Sequence, residues 1–303
     1  MLIVDQLNLF FRNYIVNPSL STDGSPIGGL RGCMQSLQKV IRESKPSMIV
    51  ICWDGAGGSR KRKLLKKDYK AGRKPIRLNR AIRNMSDDEE TDNKFWQQSR
   101  LVDYYNQIPV IQFMFDSTEA DDIIAYVSKH KLLEDHDKII LSSDKDFFQL
   151  LDDKTVLYRP VQKEILNKNN IIDKFSIHPT NFAMARAMAG DKSDNIEGIQ
   201  GLGLKTISDI ISHCKKELDV CDLKAYKSVL EFEGRLKLNY QMMQLYSPLL
   251  SIDAKTLINE TLKNPDQSFN KTEVIKMMMK DGFGEINFIE MFRHFNKISL
   301  DNN

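Results

Sequence analysis

Acidic residues close several short apolar runs of this chain. Asp5 and Asp54 each end a run rich in β-branched residues, and Asp144 and Asp146 follow shortly after another such run. If these runs are parallel strands of one sheet, their carboxyl ends share one edge, so we expect the acids to gather in a single cleft. Such a cleft would be strongly negative and suited to binding cations.

Two further acidic groups are candidates for the same cleft. Glu119, Asp121 and Asp122 stand at the start of a predicted helix, and Asp191 and Asp194 bracket a turn. Two carboxylates about 5 Å apart repel each other by about 3 kcal/mol at an effective dielectric constant of about 20. A set of this kind therefore requires compensating positive charge.

Divalent cations would supply that charge. Oxygen-only ligands favour hard ions such as Mg²⁺ or Mn²⁺. Two such ions about 3.5–4 Å apart can activate water and stabilise the leaving oxygen of a phosphodiester. The alternative for the acids at the helix start is local capping, with Ser117 or Thr118 as N-cap and Thr118 with Asp121 as a capping box.

A dense basic segment runs from residue 60 to residue 83, and an acidic run at 87–90 follows it. Its charge is more informative than the net charge of +3, because 44 Lys and Arg nearly cancel 41 Asp and Glu over the whole chain. The segment has few large apolar residues, so we expect a solvated, mobile element that nucleic-acid phosphates would neutralise and order. The candidate DNA contacts here are Arg60, Arg62, Lys66, Lys67, Tyr69 and Lys70.

A glycine-rich loop lies between two predicted helices, at 182–189 and 205–213. It does not fit a phosphate-binding loop of the NTPase kind, because Leu204 separates Gly203 from Lys205 and no strand precedes it. One interpretation is a hairpin whose free amides at the second helix face a DNA phosphate, and the other is an ordinary turn between helices. The candidate DNA-binding residues of the loop are Gly198, Gly201, Gly203, Lys205 and Thr206.

The predicted fold class is α/β. Apolar runs at 2–4, 48–53, 109–113, 138–141 and 155–158 alternate with helical segments such as 30–44 and 120–130, which predicts a mainly parallel sheet covered by helices. From residue 181 onward helical periodicity dominates. No apolar run approaches the roughly 20 residues of a membrane span, and the N-terminus does not have the pattern of a signal peptide, so we expect a cytoplasmic protein.

Together these blocks resemble the 5′-nucleases of bacteriophages and the 5′-nuclease domain of bacterial DNA polymerase I. The resemblance covers roughly residues 1 to 215. The blocks that carry it are Leu2-Ile3-Val4-Asp5, Phe11-Arg12-Asn13-Tyr14, Trp53-Asp54-Gly55, Asp68-Tyr69-Lys70 with Arg73, Glu119-Ala120-Asp121-Asp122, Ser143-Asp144-Lys145-Asp146, and Gly190-Asp191-Lys192-Ser193-Asp194-Asn195-Ile196 with Gly198, Gly201 and Gly203.

The resemblance implies a PIN-like core with a central, mainly parallel sheet, two metal sites, an arch, and a DNA-binding element of the helix-hairpin-helix type. It implies that Lys70 and Arg73 contact the scissile phosphate, that Tyr69 stacks on a base, and that the hairpin holds duplex DNA around a monovalent cation such as K⁺. The implied ligands of the first metal are Asp5, Asp54, Glu119, Asp121, Asp122 and Asp144, and those of the second are Asp146, Asp191 and Asp194.

We therefore expect a catalytic core at residues 1–174, with a basic arch at about 58–95, and a helical subdomain at 175–303, with the hairpin at about 182–213. The expected function is that of a Mg²⁺-dependent 5′ to 3′ exonuclease and flap endonuclease that also removes RNA primers, as a ribonuclease H does. Expected partners are branched, flapped or RNA-primed DNA and, among proteins, a single-stranded-DNA-binding protein or the replication machinery.

We expect a monomeric, free-standing enzyme in the cytoplasm of a bacterial or phage-infected cell, because 303 residues leave no room for a polymerase domain. Two alternatives remain open. The chain could be a structure-specific DNA-binding protein without catalysis, or a PIN-type ribonuclease that acts on free RNA.

Overall fold

A computed structural model of the protein describes residues 1–82, 84–214 and 229–300. The chain forms two compact units. The first consists of Met1–Trp53, Pro75–Phe113 and Lys255–Asn303, and the second consists of Asp54–Lys74 and Met114–Ala254. These units do not follow the predicted boundary at residue 174, because the C-terminal helices belong to the same unit as the N-terminal strands.

The first unit is built on parallel strands. Strand β1, Leu2–Asp5, pairs with β2, Ile49–Cys52, and β2 pairs with β3, Ile111–Phe113. Every residue of β1 and β2 is buried, as expected of parallel strands that are covered on both faces. The helices that connect these strands are α1, Gln6–Val16, α2, Gly28–Ser44, and α4, Asp87–Tyr105.

The acidic run at 87–90 forms the first turn of α4. Ser86 and Glu89 form a reciprocal capping box, and acidic side chains in a first turn are favoured by the helix dipole. Glu90 is buried and its Oε1 accepts the backbone N–H of Leu78 at 2.7 Å. The end of the predicted arch, from Asp87 onward, is therefore a capped and packed helix of the first unit.

Three C-terminal helices complete the first unit: α11, Lys271–Lys280, α12, Phe288–Phe292, and α13, Phe295–Leu300. Asp281, just after α11, accepts hydrogen bonds from Arg100 at 2.7 Å and from the Tyr104 hydroxyl at 2.6 Å, both on α4. Gln38 of α2 donates to the carbonyl of Glu290. These contacts explain why the C-terminal residues do not form a separate subdomain with the hairpin.

The second unit carries β4, Lys138–Leu141, parallel to β5, Thr155–Arg159, which pairs with the antiparallel β6, Glu164–Leu166. Its helices are α3, Arg60–Leu65, α5, Ala120–Ser128, α6, Lys168–Phe175, α7, Phe182–Ala189, α8, Leu204–Cys214, and α9, Glu233–Met243. Helix α10, Ile252–Lys263, contains the boundary between the units. The predicted strands and helices are confirmed to within a few residues.

The helices of the described residues include none that is both long and apolar enough to span a bilayer.

Candidate active site

Asp54 caps the N-terminus of α5. Its Oδ1 accepts the backbone N–H of Ala120, the first residue of the helix, at 2.8 Å. The predicted caps were wrong: the N-cap residue is Glu119, which makes no capping hydrogen bond, and the Thr118 hydroxyl donates to the carbonyl of Asp116. Burial raises the pKa of Asp54. A carboxylate from a distant segment thus accepts the hydrogen bond of the free backbone amide that a local N-cap side chain would otherwise accept.

Arg62 is buried among the acids of α5. Its Nη1 lies 2.5 Å from Glu119 and 2.7 Å from Asp122, and its Nε donates to the carbonyl of Met242 at 2.8 Å. Burial alone would lower the pKa of Arg62, but the charges of Asp122 and Glu119 raise it above its ordinary value. The expectation that Arg62 faces DNA is therefore wrong for this structure, because Arg62 is only 4% exposed and each nitrogen of its guanidinium is hydrogen-bonded.

Asp122 has no free oxygen for a metal in this arrangement. Its Oδ1 accepts from Arg62 and from the backbone N–H of Leu249 at 2.9 Å, and its Oδ2 accepts from Arg62. The side chain is 2% exposed. In this conformation Asp122 anchors Arg62 and the Leu249 amide, and Glu119 also pairs with Arg62.

Tyr69 and Lys70 lie against Glu119. The Lys70 amine pairs with Glu119 Oε1, and the Tyr69 hydroxyl lies 3.4 Å from Glu119 Oε2. Tyr69 is 4% exposed, so in this conformation it is not available to stack on a base, contrary to the prediction. Lys70 has a φ of 57°, which is rare outside glycine and is a form of strain that tends to persist at functional sites.

Hydrogen bonds and an ion pair hold the segment around Lys70 against the turn at residues 191–195. Arg73 pairs with the carboxylate of Asp194, and the backbone N–H of Lys70 donates to the carbonyl of Asp194 at 3.1 Å. The Asn195 amide donates to the carbonyls of Asp68 and Ala71 at 2.9 and 2.7 Å. This part of the basic segment is anchored, which corrects the expectation that it is solvated and mobile.

The remaining basic candidates of this segment lie on the surface. Arg60 and Lys67 are exposed, and the Lys66 amine pairs with Asp68 at 2.6 Å. They are accessible to a phosphate, and their role in DNA binding stays a prediction.

A second group of acids surrounds Arg186. Its Nε donates to Asp146 Oδ1 at 3.1 Å, and its Nη2 pairs with Asp191. Burial, followed by the charge of Asp144, raises the pKa of Asp146 to about 7. Ser193 connects this group to the first one, because its hydroxyl bonds to Asp191 at 2.6 Å and lies 3.5 Å from Asp194.

Arg186 was missed by the sequence analysis. It is the single charged residue of α7, whose sequence FAMARAMA is otherwise apolar. A lone cation on an otherwise buried helix is expected to face an acid, because an unpaired buried charge is very costly. That signal could have identified Arg186 as a partner of the strand-terminal acids.

Eight of the nine predicted metal ligands belong to the second unit, and Asp5 ends β1 in the first. Asp5 accepts the backbone N–H of Asn8 at 3.3 Å. Within the described parts of the chain, no three acidic, histidine or cysteine side chains form a ready-made metal cluster. The acids instead alternate with Arg62, Lys70, Arg73 and Arg186.

The donor set nevertheless fits divalent cations. Glu119 raises the pKa of Asp54, and both Asp144 and Asp191 raise that of Asp146, although burial is the first cause in each case. These mutually repelling carboxylates offer hard oxygen ligands, which suit Mg²⁺ or Mn²⁺. A cation between them would relieve the repulsion that Arg186 and Lys70 only partly offset.

The glycine-rich loop follows a two-stranded ribbon. Strand β7, Gly190–Asp191, pairs antiparallel with β8, Ile196–Glu197, and the loop leads into α8, as the predicted hairpin requires. Gly201 has a φ of 82°, a conformation that favours glycine. Gly201, Gly203 and Lys205 are exposed, and Thr206 is half-buried.

Replacing Gly198 by alanine should destabilise the second unit. A Cβ at Gly198 would lie 2.2 Å from the carbonyl oxygen of Ala189, so the ribbon must move. We expect the free energy of unfolding to fall by roughly 1–3 kcal/mol in urea titrations. Gly234→Ala is the control, because a Cβ there meets nothing within 4 Å. Equal stabilities of the two variants would contradict the close packing of the ribbon.

Comparisons with known proteins identify the family. A family model described as the 5′-3′ exonuclease, N-terminal resolvase-like domain, matches residues 1–176. The chain therefore belongs to the 5′-3′ exonuclease family, which is a family of nucleases. This confirms the resemblance found in the sequence.

Two curated relatives and one solved structure illustrate the match. A 5′-3′ exonuclease of Aquifex aeolicus is 27% identical over 309 residues, which cover 98% of each chain. DNA polymerase I of Thermus thermophilus is 28% identical over 213 residues, which cover 70% of this chain but only 24% of that polymerase. The bacteriophage T5 D15 flap endonuclease, crystallised with DNA and metal ions, has a TM-score of 0.65 at 19% identity and covers 93% of this chain and 99% of its own.

The structural match shows a shared fold. It is the PIN-like 5′-nuclease fold with mainly parallel strands and many helices, as the sequence predicts.

Proposed function

We propose that this chain is a Mg²⁺-dependent, structure-specific 5′-nuclease that cleaves flapped, branched or RNA-primed DNA. The observation that carries this proposal is the alternation of two repelling carboxylate groups with cations from the basic segment and α7. Such a site combines ligands for metal ions with positive groups for a phosphate. The T5 relative was crystallised with both DNA and metal ions, which supports the assignment.

The metal ligands in this proposal are Asp54, Glu119, Asp144, Asp146 and Asp191, with Asp121 and Asp194 completing the set within the second unit. The role of Asp5 as a ligand stays a prediction. Bound Mg²⁺, or Mn²⁺ in its place, would supply an activated water and stabilise the leaving oxygen. Arg186 positions Asp146 and Asp191 by bonding to both. Asp54 keeps its orientation through the Ala120 amide.

Lys70 and Arg73 would contact the scissile phosphate. The Lys70 side chain is 23% exposed and that of Arg73 is 51% exposed, so both can reach a bound strand without unfolding of the segment. Positive groups at this place offset the charge that develops on the phosphoryl oxygens. Their present partners, Glu119 and Asp194, keep them positioned beside the acids.

The hairpin would hold duplex DNA beside this site. A Cβ at Gly203 would meet nothing within 4 Å, so packing within the described residues does not demand a glycine there. Close approach of a sugar–phosphate backbone to the loop would explain why position 203 carries no side chain. Lys205 and Thr206 follow at the start of α8, where free amides favour a phosphate. A K⁺ ion at this hairpin stays a prediction.

The activity test uses 5′-labelled flap DNA and a 5′-labelled RNA/DNA hybrid. We expect cleavage of both in Mg²⁺ or Mn²⁺ and none in EDTA. No metal-dependent cleavage of either would overturn the proposal. Free single-stranded RNA separates the rival function, because a PIN-type ribonuclease would prefer it over the branched substrates.

Replacing Lys70 or Arg73 by alanine should lower kcat on flap DNA by roughly 10²- to 10³-fold, the loss typical of a group that stabilises transition-state charge. Single-turnover rates at saturating enzyme measure this effect separately from binding. Lys74→Ala is the matched control, because Lys74 is the exposed neighbour of Arg73. Equal cleavage rates for Arg73→Ala and Lys74→Ala would show that Arg73 does not contribute to the reaction.

The cellular setting follows from the proposed substrates. Replication intermediates lie in the cytoplasm of a bacterial or phage-infected cell, which is where we propose that the enzyme acts. A single-stranded-DNA-binding or replication protein as partner, and the monomeric state, stay predictions.

A further inference from the structure

An open cavity of about 750 Å³ lies beside the hairpin in the second unit. None of the nine predicted metal ligands lines it. Its walls come from the ribbon and loop at residues 195–200 and from the start of α9, and they include Lys192, Phe232 and Arg235. Residues 232 and 235 lie outside both the family model and the sequence resemblance.

Helix α9 is fixed against the hairpin by a buried amide. Asn239 is 2% exposed, and its Nδ2 donates to the carbonyl of Ala187 at 2.9 Å and to that of Glu197 at 2.8 Å. These two carbonyls belong to the end of α7 and to β8. The start of α9 therefore keeps a defined position beside the loop that we propose to bind DNA.

Phe232 and Arg235 form a stacked pair at this wall. The Arg235 guanidinium lies 5.1 Å from the centroid of the Phe232 ring, and Phe232 is 36% exposed. Arg235 also lies 3.5 Å from the carbonyl of Gly198 and 3.8 Å from Glu197. A flat, partly exposed aromatic and guanidinium surface is suited to stacking on a nucleobase.

Lys192 supplies a positive charge to the same cavity. It is exposed and forms no ion pair within the described residues. The acids at the cavity wall are already paired, Asp68 with Lys66 and Glu197 with Arg235. Lys192 is thus the cation of this cavity whose charge is available to a phosphate.

We propose that this cavity binds an unpaired nucleotide of the DNA substrate, with the base against Phe232 and Arg235 and the phosphate at Lys192. The proposal rests on the proposed function and adds a subsite for the single-stranded part of the substrate. An unpaired strand is required because the bases of a duplex are already stacked on each other and do not present a face to a side chain.

The test measures binding rather than cleavage, so that it does not depend on a loaded metal site. Fluorescence anisotropy in EDTA compares a 5′-flap substrate with a fully paired duplex of the same length. Phe232→Leu combined with Arg235→Gln should weaken flap binding by roughly 5- to 100-fold and leave duplex binding nearly unchanged. Lys192→Gln should lower the slope of log affinity against log salt by about one on the flap substrate.

Lys237→Gln is the matched control, because Lys237 lies on the same helix and pairs with Glu233 away from the cavity lining. Its flap affinity should equal that of the wild type. Melting temperatures check that each variant is folded, and the single variants Phe232→Leu and Lys192→Gln replace the double variant if it does not fold.

Unchanged flap affinity in folded variants would overturn the proposal, while wild-type cleavage of the flap would show that the proposed function stands. Equal losses on flap and duplex would also overturn it, because they would mean that the cavity binds duplex phosphates. A loss of affinity for the flap alone supports the proposed nucleotide site even if the wild-type protein does not cleave. Failure of the wild type to cleave would contradict only the proposed function.

Discussion

We expect the substitution Asp146→Asn to abolish metal-dependent cleavage, whereas the affinity for DNA should stay the same or rise. Asp146 lies beside Asp144, Asp191 and Arg186, where burial and the charge of Asp144 raise its pKa to about 7. Loss of its charge removes a metal ligand, so the rate should fall by more than the roughly 10- to 100-fold typical of groups that only support a ligand. It also removes a negative charge that repels DNA.

This experiment separates catalysis from binding alone. Single-turnover cleavage and anisotropy on the same flap substrate give the two quantities. Asp137→Asn is the control, because the Asp137 side chain is 90% exposed and lies 3.9 Å from Lys154. Weaker DNA binding with an unchanged cleavage rate would favour the rival interpretation of Asp146 as part of a DNA-binding surface without catalysis.

Arg62→Met should give the largest loss of stability in the second unit. Arg62 neutralises Glu119 and Asp122, whose side chains are 4% and 2% exposed. Removing one partner of a buried ion pair leaves an uncompensated charge and typically costs about 3–5 kcal/mol. Urea titration measures this change in the free energy of unfolding.

The controls for Arg62 lie close by. Arg60→Met changes an exposed arginine of the same helix and should leave stability within about 0.5 kcal/mol of the wild type. Adding Asp122→Leu to Arg62→Met should recover part of the loss, because it removes the charge left behind. A loss below about 1 kcal/mol for Arg62→Met would contradict the anchoring role.

Asp121 and Asp122 are neighbours with different roles in our proposal. Asp122 is held by Arg62 and by the Leu249 amide, whereas Asp121 stays a proposed ligand of the first metal. Calorimetric titration with Mg²⁺ should therefore show weaker binding for Asp121→Asn and wild-type affinity for Asp122→Asn. Equal weakening in both would restore Asp122 to the ligand set.

Four cations of the site offset part of the charge of the neighbouring acids. Arg62, Lys70, Arg73 and Arg186 each pair with at least one acid of the proposed ligand set or its anchor. Lys70 and Arg73 remain partly exposed, whereas Arg62 is buried. We infer that the exposed cations exchange partners when a phosphate binds, and that the buried one does not.

Local patterns in the sequence were sufficient for the strands, for most of the helices and for the family. The β-branched run before Asp5 predicts β1, and the glycine pattern from Gly198 to Gly203 predicts the turn into α8, because strand periodicity and turn chemistry depend on near neighbours. The capping of α5 was mispredicted, since Asp54 reaches Ala120 from 66 residues away.

Which cation faces which acid could not be read from the chain. Arg62 and Arg60 are two residues apart and chemically identical, yet one is buried under Glu119 and the other is exposed, because the direction of each side chain is set by how α3 packs. For the same reason Arg186 was missed, and Tyr69, which the resemblance implied would stack on a base, is buried. Burial and pairing of charges depend on residues brought together by folding, and the periodicity of one segment does not contain that information.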